Sequence, residues 1–355
     1  MATGAQIMYK IVIRRILFLF SPEKVHHFAA SFLRITLAIP FVAALVRKRY
    51  LIRHPVLERT VFGLRFPNPV GVAAGFDKEA KLYNALSHFG FGHIEIGTVT
   101  PLGQPGNPKP RLFRVPKDKA LINRMGFNNH GVQVVVERIE KNKPGVIIGG
   151  NIGKNTATPN EKAIDDYGAC FNALFNHVDY FVINVSCPNI EGLSRLQDKD
   201  ELLALLKAIQ LLNQAKDNPK PILLKISPDL SEEQLDEVID IVRTTQLDGI
   251  IATNTTSRRD KLLTPLEQIE PLGKGGLSGK PLWHKSVRTV SYLHKKTTGD
   301  IPIIAVGGIF TADDAMEMLH AGAALVQVYT GFVYEGPAIA KRINKRLIAE
   351  TQIKA

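Results

Sequence analysis

Apolar segments of strand length recur eight times after residue 69, and amphipathic segments of helical length separate them. The strand-length segments are residues 70–74, 93–99, 146–152, 180–185, 222–226, 249–253, 301–306 and 324–329. The segments between them include residues 198–216, 231–245, 311–321 and 337–349, which have helical apolar spacing. Eight alternations predict an α/β protein with a (β/α)8 TIM barrel over residues 70–355, whereas a doubly wound sheet usually has fewer strands and a glycine-rich first turn.

The first 50 residues have a different pattern. Basic residues gather on one side of the apolar segment 7–20, and residues 21–23, Ser-Pro-Glu, have the composition of a helix start. A further apolar segment, residues 41–50, becomes basic towards its end. No run approaches the roughly 20 apolar residues of a transmembrane helix. We therefore predict a small N-terminal helical extension, residues 1–50, and a linker, residues 51–69. The helices either pack on the barrel or lie on an anionic membrane and admit an apolar ligand.

The composition is that of an ordinary globular protein, with 45% apolar and 22% charged residues. A net charge of +12 favours anions, such as a phosphorylated cofactor, an acidic substrate, an anionic membrane or a nucleic acid. Because only 7% of residues are aromatic and the lysines are dispersed, we expect no nucleic-acid partner. Two cysteines, Cys170 and Cys187, without a secretory signal indicate a reducing setting, and Cys170 is expected to be a buried packing residue of a helix.

Polar residues follow the predicted strands, and the segment 180–189 is the clearest case, since an apolar strand there gives way to amide, hydroxyl and thiol groups. The C-terminal strand ends of a barrel form its active-site face. The glycine pairs 275–276 and 307–308, together with Tyr329 and Thr330, follow the late strands, where loops commonly bind phosphate. A tight turn is the alternative for either pair. The two glycine pairs with Tyr329 and Thr330 therefore predict a phosphate site. We expect no metal, because the sequence contains neither HExxH nor CxxC, and it also lacks GxSxG and Walker motifs.

Seven motifs carry a close resemblance to the dihydroorotate dehydrogenases, FMN enzymes of pyrimidine synthesis, over nearly the whole chain. They are residues 71–78 (GVAAGFDK), 95–100 (EIGTVT), 110–114 (PRLFR), 123–129 (NRMGFNN), 184–189 (NVSCPN), 252–256 (ATNTT) and 275–279 (GGLSG). The N-terminal unit, including residues 21–26, resembles the membrane-associated, quinone-reducing branch.

The resemblance implies oxidation of (S)-dihydroorotate to orotate in the de novo synthesis of UMP, with electrons passed to a membrane quinone, either ubiquinone or menaquinone. It also implies a peripheral location at the membrane surface, on the cytoplasmic side of the cell membrane. The alternative is a soluble dihydroorotate dehydrogenase that uses fumarate or NAD. Cys187 favours this alternative and the N-terminal unit opposes it.

Position by position, the resemblance assigns FMN to Ala74, Lys78, Thr98, Asn151, Asn184, Lys225, Thr253, Gly276, Gly308, Tyr329 and Thr330. A fixed cation at Lys225 would stabilise the charge of reduced flavin. The substrate residues that it implies are Lys78, Asn123, Arg124, Met125, Gly126, Phe127, Asn184, Asn189, Asn254 and Thr255. Asparagine amides can pair with the N–H and C=O groups of the substrate ring, while Lys78 balances its carboxylate.

The resemblance places the base that removes the C5 proton at Cys187, while the C6 hydride goes to flavin N5. The quinone-linked branch usually carries serine there, but a thiol, with a pKa of about 8.5, is easier to activate than an alcohol. The alternative is that Ser186 or a water takes the proton. We expect the quinone to enter between the N-terminal helices and to meet the flavin near His26, Arg114 and Tyr329. A loop salt bridge is the alternative for Arg114.

Overall fold

Eight parallel strands close into a barrel in the computed structural model, which describes residues 8–143, 145–185 and 199–354. The strands, numbered β1 to β8 in chain order, are Val70–Asp77, His93–Val99, Ile147–Ile152, Tyr180–Asn184, Ile222–Ile226, Gly249–Ala252, Ile303–Val306 and Leu325–Val328. Each strand pairs with the next, and β8 pairs with β1. The predicted TIM barrel is confirmed, and the predicted strand ends differ from the observed ones by at most three residues.

Amphipathic helices surround the barrel because each buries one apolar face against the strands. In chain order they are Tyr83–Ser87, Val132–Lys141, Ala163–Leu174, Lys199–Gln214, Glu232–Thr245, Trp283–Thr297, Ala312–His320 and Ile339–Lys354, with the short helices Leu266–Ile269 and Thr330–Glu335. Ser231 and Thr311 each start a helix with a capping box, in which the hydroxyl and the third helical residue satisfy each other's backbone N–H groups. Two of the predicted helices therefore begin where the sequence placed them.

A hairpin closes the N-terminal end of the barrel. Its strands, Arg59–Val61 and Leu64–Phe66, are antiparallel, and Phe66 is fully buried against the inward-facing side chains of the barrel strands. The ring of Phe66 lies 5.3 Å from that of His93 at the start of β2. Because apolar side chains fill this end, space for a ligand is left at the opposite, C-terminal end.

Two small antiparallel sheets stand at the C-terminal end of the barrel and come from the two long connections, residues 100–131 and 254–282. One sheet contains Leu112–Val115, Ala120–Asn123 and Gly276–Gly279, with Ala120–Asn123 in the centre. The other pairs Leu102–Gln104 with Asn129–Gly131. The long connections therefore build a wall above the strand ends.

The N-terminal unit consists of a π-helical turn, Tyr9–Ile13, and the helices Arg14–Phe18, Pro22–Leu37 and Pro40–Tyr50. Leu37 and Ala43 are buried, whereas several large apolar side chains on these helices are exposed, among them Phe28, Phe32, Ile35 and Phe41. Within the described part of the chain, no single helix has the length and apolarity to span a bilayer. Among the helices that the structure describes, only Pro22–Leu37 and Pro40–Tyr50 taken together satisfy both criteria, and they are bent by 106° at the break.

Candidate active site

A cavity opens at the C-terminal ends of the barrel strands. It measures about 1040 Å³, including the part that is open to solvent. Seven of the eight barrel strands, or the loops that follow them, contribute to its wall, as does the three-stranded sheet. A concave site of this kind, in which polar groups from many strands converge, is the usual place of catalysis in a barrel.

Most of the predicted cofactor residues line this cavity, namely Ala74, Lys78, Thr98, Asn184, Lys225, Thr253, Gly308, Tyr329 and Thr330. Asn151 lies fully buried behind the wall, where its Oδ1 accepts hydrogen bonds from Thr98 Oγ1 at 2.5 Å and Asn184 Nδ2 at 3.2 Å. Gly276 lies beside the wall, and its carbonyl oxygen accepts a hydrogen bond from Asn123 Nδ2 at 3.4 Å. The fold thus gathers these residues around one space.

Most of the predicted substrate residues line the same cavity, namely Lys78, Asn123, Met125, Gly126, Phe127, Asn184, Asn254 and Thr255. Arg124 is not in the wall. Its Nη1 donates to the carbonyl oxygen of Lys274 at 3.0 Å, and its guanidinium lies 4.7 Å from the centre of the Phe113 ring. Because alternate side chains of an extended segment face opposite ways, Asn123 and Met125 reach the cavity while Arg124 points away from it.

The predicted base Cys187 and the predicted substrate residue Asn189 lie outside the residues that the structure describes. The other cysteine, Cys170, is fully buried in the helix Ala163–Leu174. Burial raises the pKa of its thiol well above the ordinary value. Cys170 is therefore the unreactive packing residue that the sequence predicted.

A buried carboxylate, Glu95, lies behind the cavity wall and was missed by the sequence prediction. Its Oε1 accepts hydrogen bonds from Asn151 Nδ2 at 2.7 Å and Lys225 Nζ at 3.1 Å. Its Oε2 accepts one from Gln327 Nε2 at 2.8 Å, and Gln327, also missed, lines the cavity. The available signal was a charged residue in the middle of the apolar segment 93–99, because a charge in a buried strand requires partners.

Amide side chains connect the buried cluster of Glu95, Asn151, Lys225 and Gln327 with the part of the cavity wall that contains Asn254. Asn184 Nδ2 donates to Thr98 Oγ1 at 2.9 Å, and Asn184 Oδ1 accepts a hydrogen bond from Asn254 Nδ2 at 3.4 Å. Asn254 Oδ1 in turn accepts the backbone N–H of Thr255 at 2.8 Å. These bonds fix which amide atoms are donors and which are acceptors at the cavity wall.

Glycines and hydroxyls line the cavity near the ends of β7 and β8. Gly308 has a φ of +78°, and a Cβ at this position would come within 2.6 Å of Trp283 Cα. The hydroxyls of Ser278 and Thr330 lie 2.8 Å apart, and both residues are in the wall. Main chain without side chains, next to hydroxyl donors, is suited to a close approach by a phosphate.

A second cavity, of about 660 Å³ including the part that is open to solvent, lies between the helix Pro22–Leu37 and the barrel. His26, Phe76 and Tyr329 line it, with ring centres 5.3 Å apart for the first pair and 5.5 Å for the second. Tyr329 and Lys78 line both cavities, so the two spaces adjoin there. Burial, followed by the charge of Lys78, lowers the pKa of His26 to about 4, and the imidazole is therefore neutral at pH 7.

Arg114, the remaining residue of the predicted quinone set, is not in the wall of the second cavity. Its Nη1 donates to the carbonyl oxygen of Phe20 at 2.6 Å. Its guanidinium lies 4.4 Å from the centre of the Phe18 ring. These contacts hold the turn between the helices Arg14–Phe18 and Pro22–Leu37 against the three-stranded sheet.

The family model described as dihydroorotate dehydrogenase matches residues 56–350. A relative from Christiangramia forsetii, named dihydroorotate dehydrogenase (quinone), is 55% identical over 341 residues, which cover 96% of this chain and 99% of the relative. A relative from Rhodococcus opacus with the same name is 45% identical over 340 residues, covering 96% of this chain and 94% of the relative.

Solved structures of an enzyme named DHODH from Eimeria tenella have the same fold. The ligand-free form aligns with a TM-score of 0.84 and 37% identity, over 94% of this chain and 96% of that one. The complex with ferulenol aligns with a TM-score of 0.79 and 38% identity, over 89% of this chain and 92% of that one.

Proposed function

The chain belongs to the dihydroorotate dehydrogenase family, and we propose that it catalyses the quinone-dependent reaction of that family. It oxidises dihydroorotate to orotate in pyrimidine biosynthesis and passes the electrons to a quinone. The observation that carries this proposal is the 55% identity to a quinone-dependent relative over 99% of that relative's length. The second cavity under the N-terminal helices, which adjoins the first, agrees with a separate site for the electron acceptor.

The cofactor that we propose is FMN, held by the predicted cofactor residues in and behind the cavity wall. Two features support the fit. The main chain of Gly307 and Gly308 lines the cavity together with the hydroxyls of Ser278 and Thr330, which suits a phosphate, and Lys225 supplies a cation. Bound FMN supplies the hydride acceptor of the reaction.

The chain's own residues orient the substrate. We assign its carboxylate to Lys78, whose Nζ lies 2.8 Å from Asn128 Oδ1 in the wall shared by the two cavities. The amides of Asn123, Asn184 and Asn254 can pair with the N–H and C=O groups of its ring. The amide chain described above holds Asn184 and Asn254 in one orientation before the substrate arrives, which lowers the entropic cost of reaching the reactive geometry.

We assign removal of the C5 proton to Cys187, with Ser186 or a water as the alternative acceptor. A thiol with a pKa of about 8.5 is partly ionised near neutral pH, whereas an alcohol is not. Cys187→Ala should lower the rate of flavin reduction by dihydroorotate by about 10² to 10⁴ in anaerobic stopped flow. Cys170→Ala is the matched control and should leave that rate unchanged. A Cys187→Ala enzyme with the wild-type rate would exclude Cys187 as the base.

We propose that a membrane quinone, ubiquinone or menaquinone, enters beneath the N-terminal helices and reaches the flavin edge near His26 and Tyr329, with Arg114 holding the entrance turn. The exposed Phe28, Phe32 and Phe41, together with the basic residues nearby, support peripheral attachment to the cytoplasmic surface of the cell membrane. The N-terminal unit, residues 1–50, would then be the membrane and quinone-access unit, residues 51–69 the linker, and residues 70–355 the catalytic barrel.

The experiment that tests the function uses the purified flavoprotein. Dihydroorotate should bleach the flavin absorbance under anaerobic conditions. Ubiquinone or menaquinone should then restore it rapidly, while fumarate and NAD should restore it slowly or not at all. Rapid reoxidation by fumarate or NAD would instead support the soluble alternative. A variant without residues 1–50 should keep dihydroorotate-dependent flavin reduction and lose quinone reduction, and normal quinone turnover by this variant would refute the proposed access unit.

A further inference from the structure

Glu95 accepts hydrogen bonds on both carboxylate oxygens from three different barrel strands. Asn151 comes from β3, Lys225 from β5 and Gln327 from β8, while Glu95 itself is on β2 and is fully buried. A carboxylate can accept from all three donors at once, whereas a neutral amide would have to present its NH₂ group to one of them. The geometry therefore matches a carboxylate better than an amide at this position.

The negative charge of Glu95 faces the positive charge of Lys225 across 3.1 Å. The Lys225 side chain is 6% exposed and lines the cavity, so the pair lies in a region with little solvent screening. A ligand in the cavity is consequently next to a neutralised ion pair and not next to an isolated cation. Glu95 therefore weakens the electrostatic field of Lys225 at the ligand.

The same carboxylate determines the orientation of the amides between it and the cavity. Because Glu95 only accepts, Asn151 must turn its Nδ2 towards it and its Oδ1 towards Thr98 and Asn184. Asn184 must then direct its Nδ2 towards Thr98 Oγ1 and its Oδ1 towards Asn254. The donor and acceptor pattern at the cavity wall thus begins at Glu95.

We infer that Glu95 is a positioning residue that sets the reduction potential of the bound flavin through Lys225. This inference rests on the proposed function, since it requires FMN in the cavity. Reduction adds negative charge to a flavin, which Lys225 stabilises and Glu95 opposes. Glu95 therefore keeps the potential lower than Lys225 alone would, which favours transfer of the electrons onward to a quinone.

The test is the midpoint potential of the FMN in wild-type, Glu95→Gln and Glu95→Asp holoenzymes, measured by anaerobic equilibration with a redox dye. Gln327 can rotate its amide to meet the glutamine, so Glu95→Gln removes the charge and retains the shape. Its potential should rise by the equivalent of at least a tenfold change in the equilibrium constant, which is ~30 mV for a two-electron couple. Glu95→Asp retains the charge, and its potential should stay near the wild-type value.

Glu335→Gln is the matched control, because Glu335 is also buried and paired, with Lys10 and Arg342, away from the cavity wall. It should leave the potential unchanged. An unchanged potential in a fully loaded Glu95→Gln enzyme would overturn the inference, as would equal shifts in the aspartate and glutamine variants. If Glu95→Gln loses FMN on purification, the dissociation constants of its oxidised and reduced FMN decide: their ratio, oxidised over reduced, should exceed the wild-type ratio at least tenfold, and an equal ratio overturns the inference. A wild-type protein that neither contains nor takes up flavin would instead refute the proposed function.

Discussion

The guanidinium of Arg111 pairs with Glu23 and so joins the helix Pro22–Leu37 to the wall of the first cavity, the one at the C-terminal ends of the barrel strands. Arg111 Nη2 lies 2.8 Å from Glu23 Oε1, and the two side chains are only 7% and 13% exposed. Arg111 Nη1 also donates to the carbonyl oxygen of Asn107 at 3.0 Å, and the Asn107 N–H donates to the carbonyl oxygen of Met125, a cavity residue. One side chain therefore links the helix Pro22–Leu37, which lines the second cavity, to the loop that forms a wall of the first.

Glu23→Gln should loosen this link. Arg111 would lose a charged acceptor in a mostly buried place, so we expect the free energy of unfolding in urea at pH 7.5 to fall by about 1 to 3 kcal/mol. Glu58→Gln is the matched control, because its partner Arg65 is 75% exposed and such surface pairs contribute at most about 1 kcal/mol. Equal losses in the two variants would contradict a special role for the Arg111–Glu23 pair.

The neutral His26 should make the enzyme sensitive to acid. Its pKa is lowered to about 4 by burial, then by the charges of Lys78 and His27, while the unfolded chain takes up this proton near pH 6.5. A depressed histidine pKa means that the unfolded state binds the proton first, so stability falls as the pH drops from about 6.5 towards 4.

Between pH 7.5 and 5, the wild type should therefore lose about 1 to 2 kcal/mol more unfolding free energy than His26→Gln. Urea denaturation of both proteins at the two pH values measures this difference. His27→Gln is the control, since the His27 side chain is 67% exposed, and it should follow the wild type. Parallel losses in wild type and His26→Gln would show that His26 is not held neutral by the fold.

The barrel could be predicted from the sequence because its signal is local. Each strand of a parallel barrel is buried on both faces and so forms a continuous apolar segment, and the capping residues Ser231 and Thr311 mark where two helices start. The polar residues at the strand ends could be predicted too, since parallel strands carry their C-terminal ends to one face.

The buried cluster could not be predicted in the same way. Glu95 meets Asn151, Lys225 and Gln327 only because the barrel closes, and the sequence separations of these residues say nothing about their register. Arg124 was assigned with the whole motif in which it stands, although the alternation of an extended segment turns it away from the cavity. Contacts that depend on closure or on side-chain direction require the structure.

The exposed aromatic side chains of the N-terminal unit should bind lipid. Phe28 and Phe32 are 64% and 55% exposed and their rings stack with centres 6.3 Å apart. Replacing both with serine removes apolar area worth about 1.5 to 3 kcal/mol for each side chain that is fully buried. We expect Phe28→Ser/Phe32→Ser to bind vesicles with anionic lipid at least about tenfold more weakly in a sedimentation assay.

The matched control for this prediction is Leu211→Ser. Leu211 is 67% exposed but lies on the barrel helix Lys199–Gln214, away from the N-terminal unit. It should bind vesicles as the wild type does. Equal binding by the double phenylalanine variant and the wild type would show that these rings do not contact the membrane.

Gly71 in β1 and His93 in β2 are register partners in the barrel, and the imidazole fills the space that a side chain at position 71 would need. A Cβ on Gly71 would lie 2.2 Å from His93 Nε2, and His93 is fully buried against Phe66. Gly71→Ala should therefore overpack the barrel and lower the free energy of unfolding by about 3 kcal/mol or more. Gly145→Ala is the control, since a Cβ there meets no atom within 4 Å, and it should change stability by at most about 0.5 kcal/mol.

The double variant Gly71→Ala/His93→Ala tests whether the ring is the cause. It removes the clashing ring and should be more stable than Gly71→Ala alone, because the two substitutions share one space and cannot act independently. Thermal or urea unfolding of the wild type, Gly71→Ala, His93→Ala and the double variant measures this coupling. A double variant no more stable than Gly71→Ala would show that the ring is not what excludes a side chain from position 71.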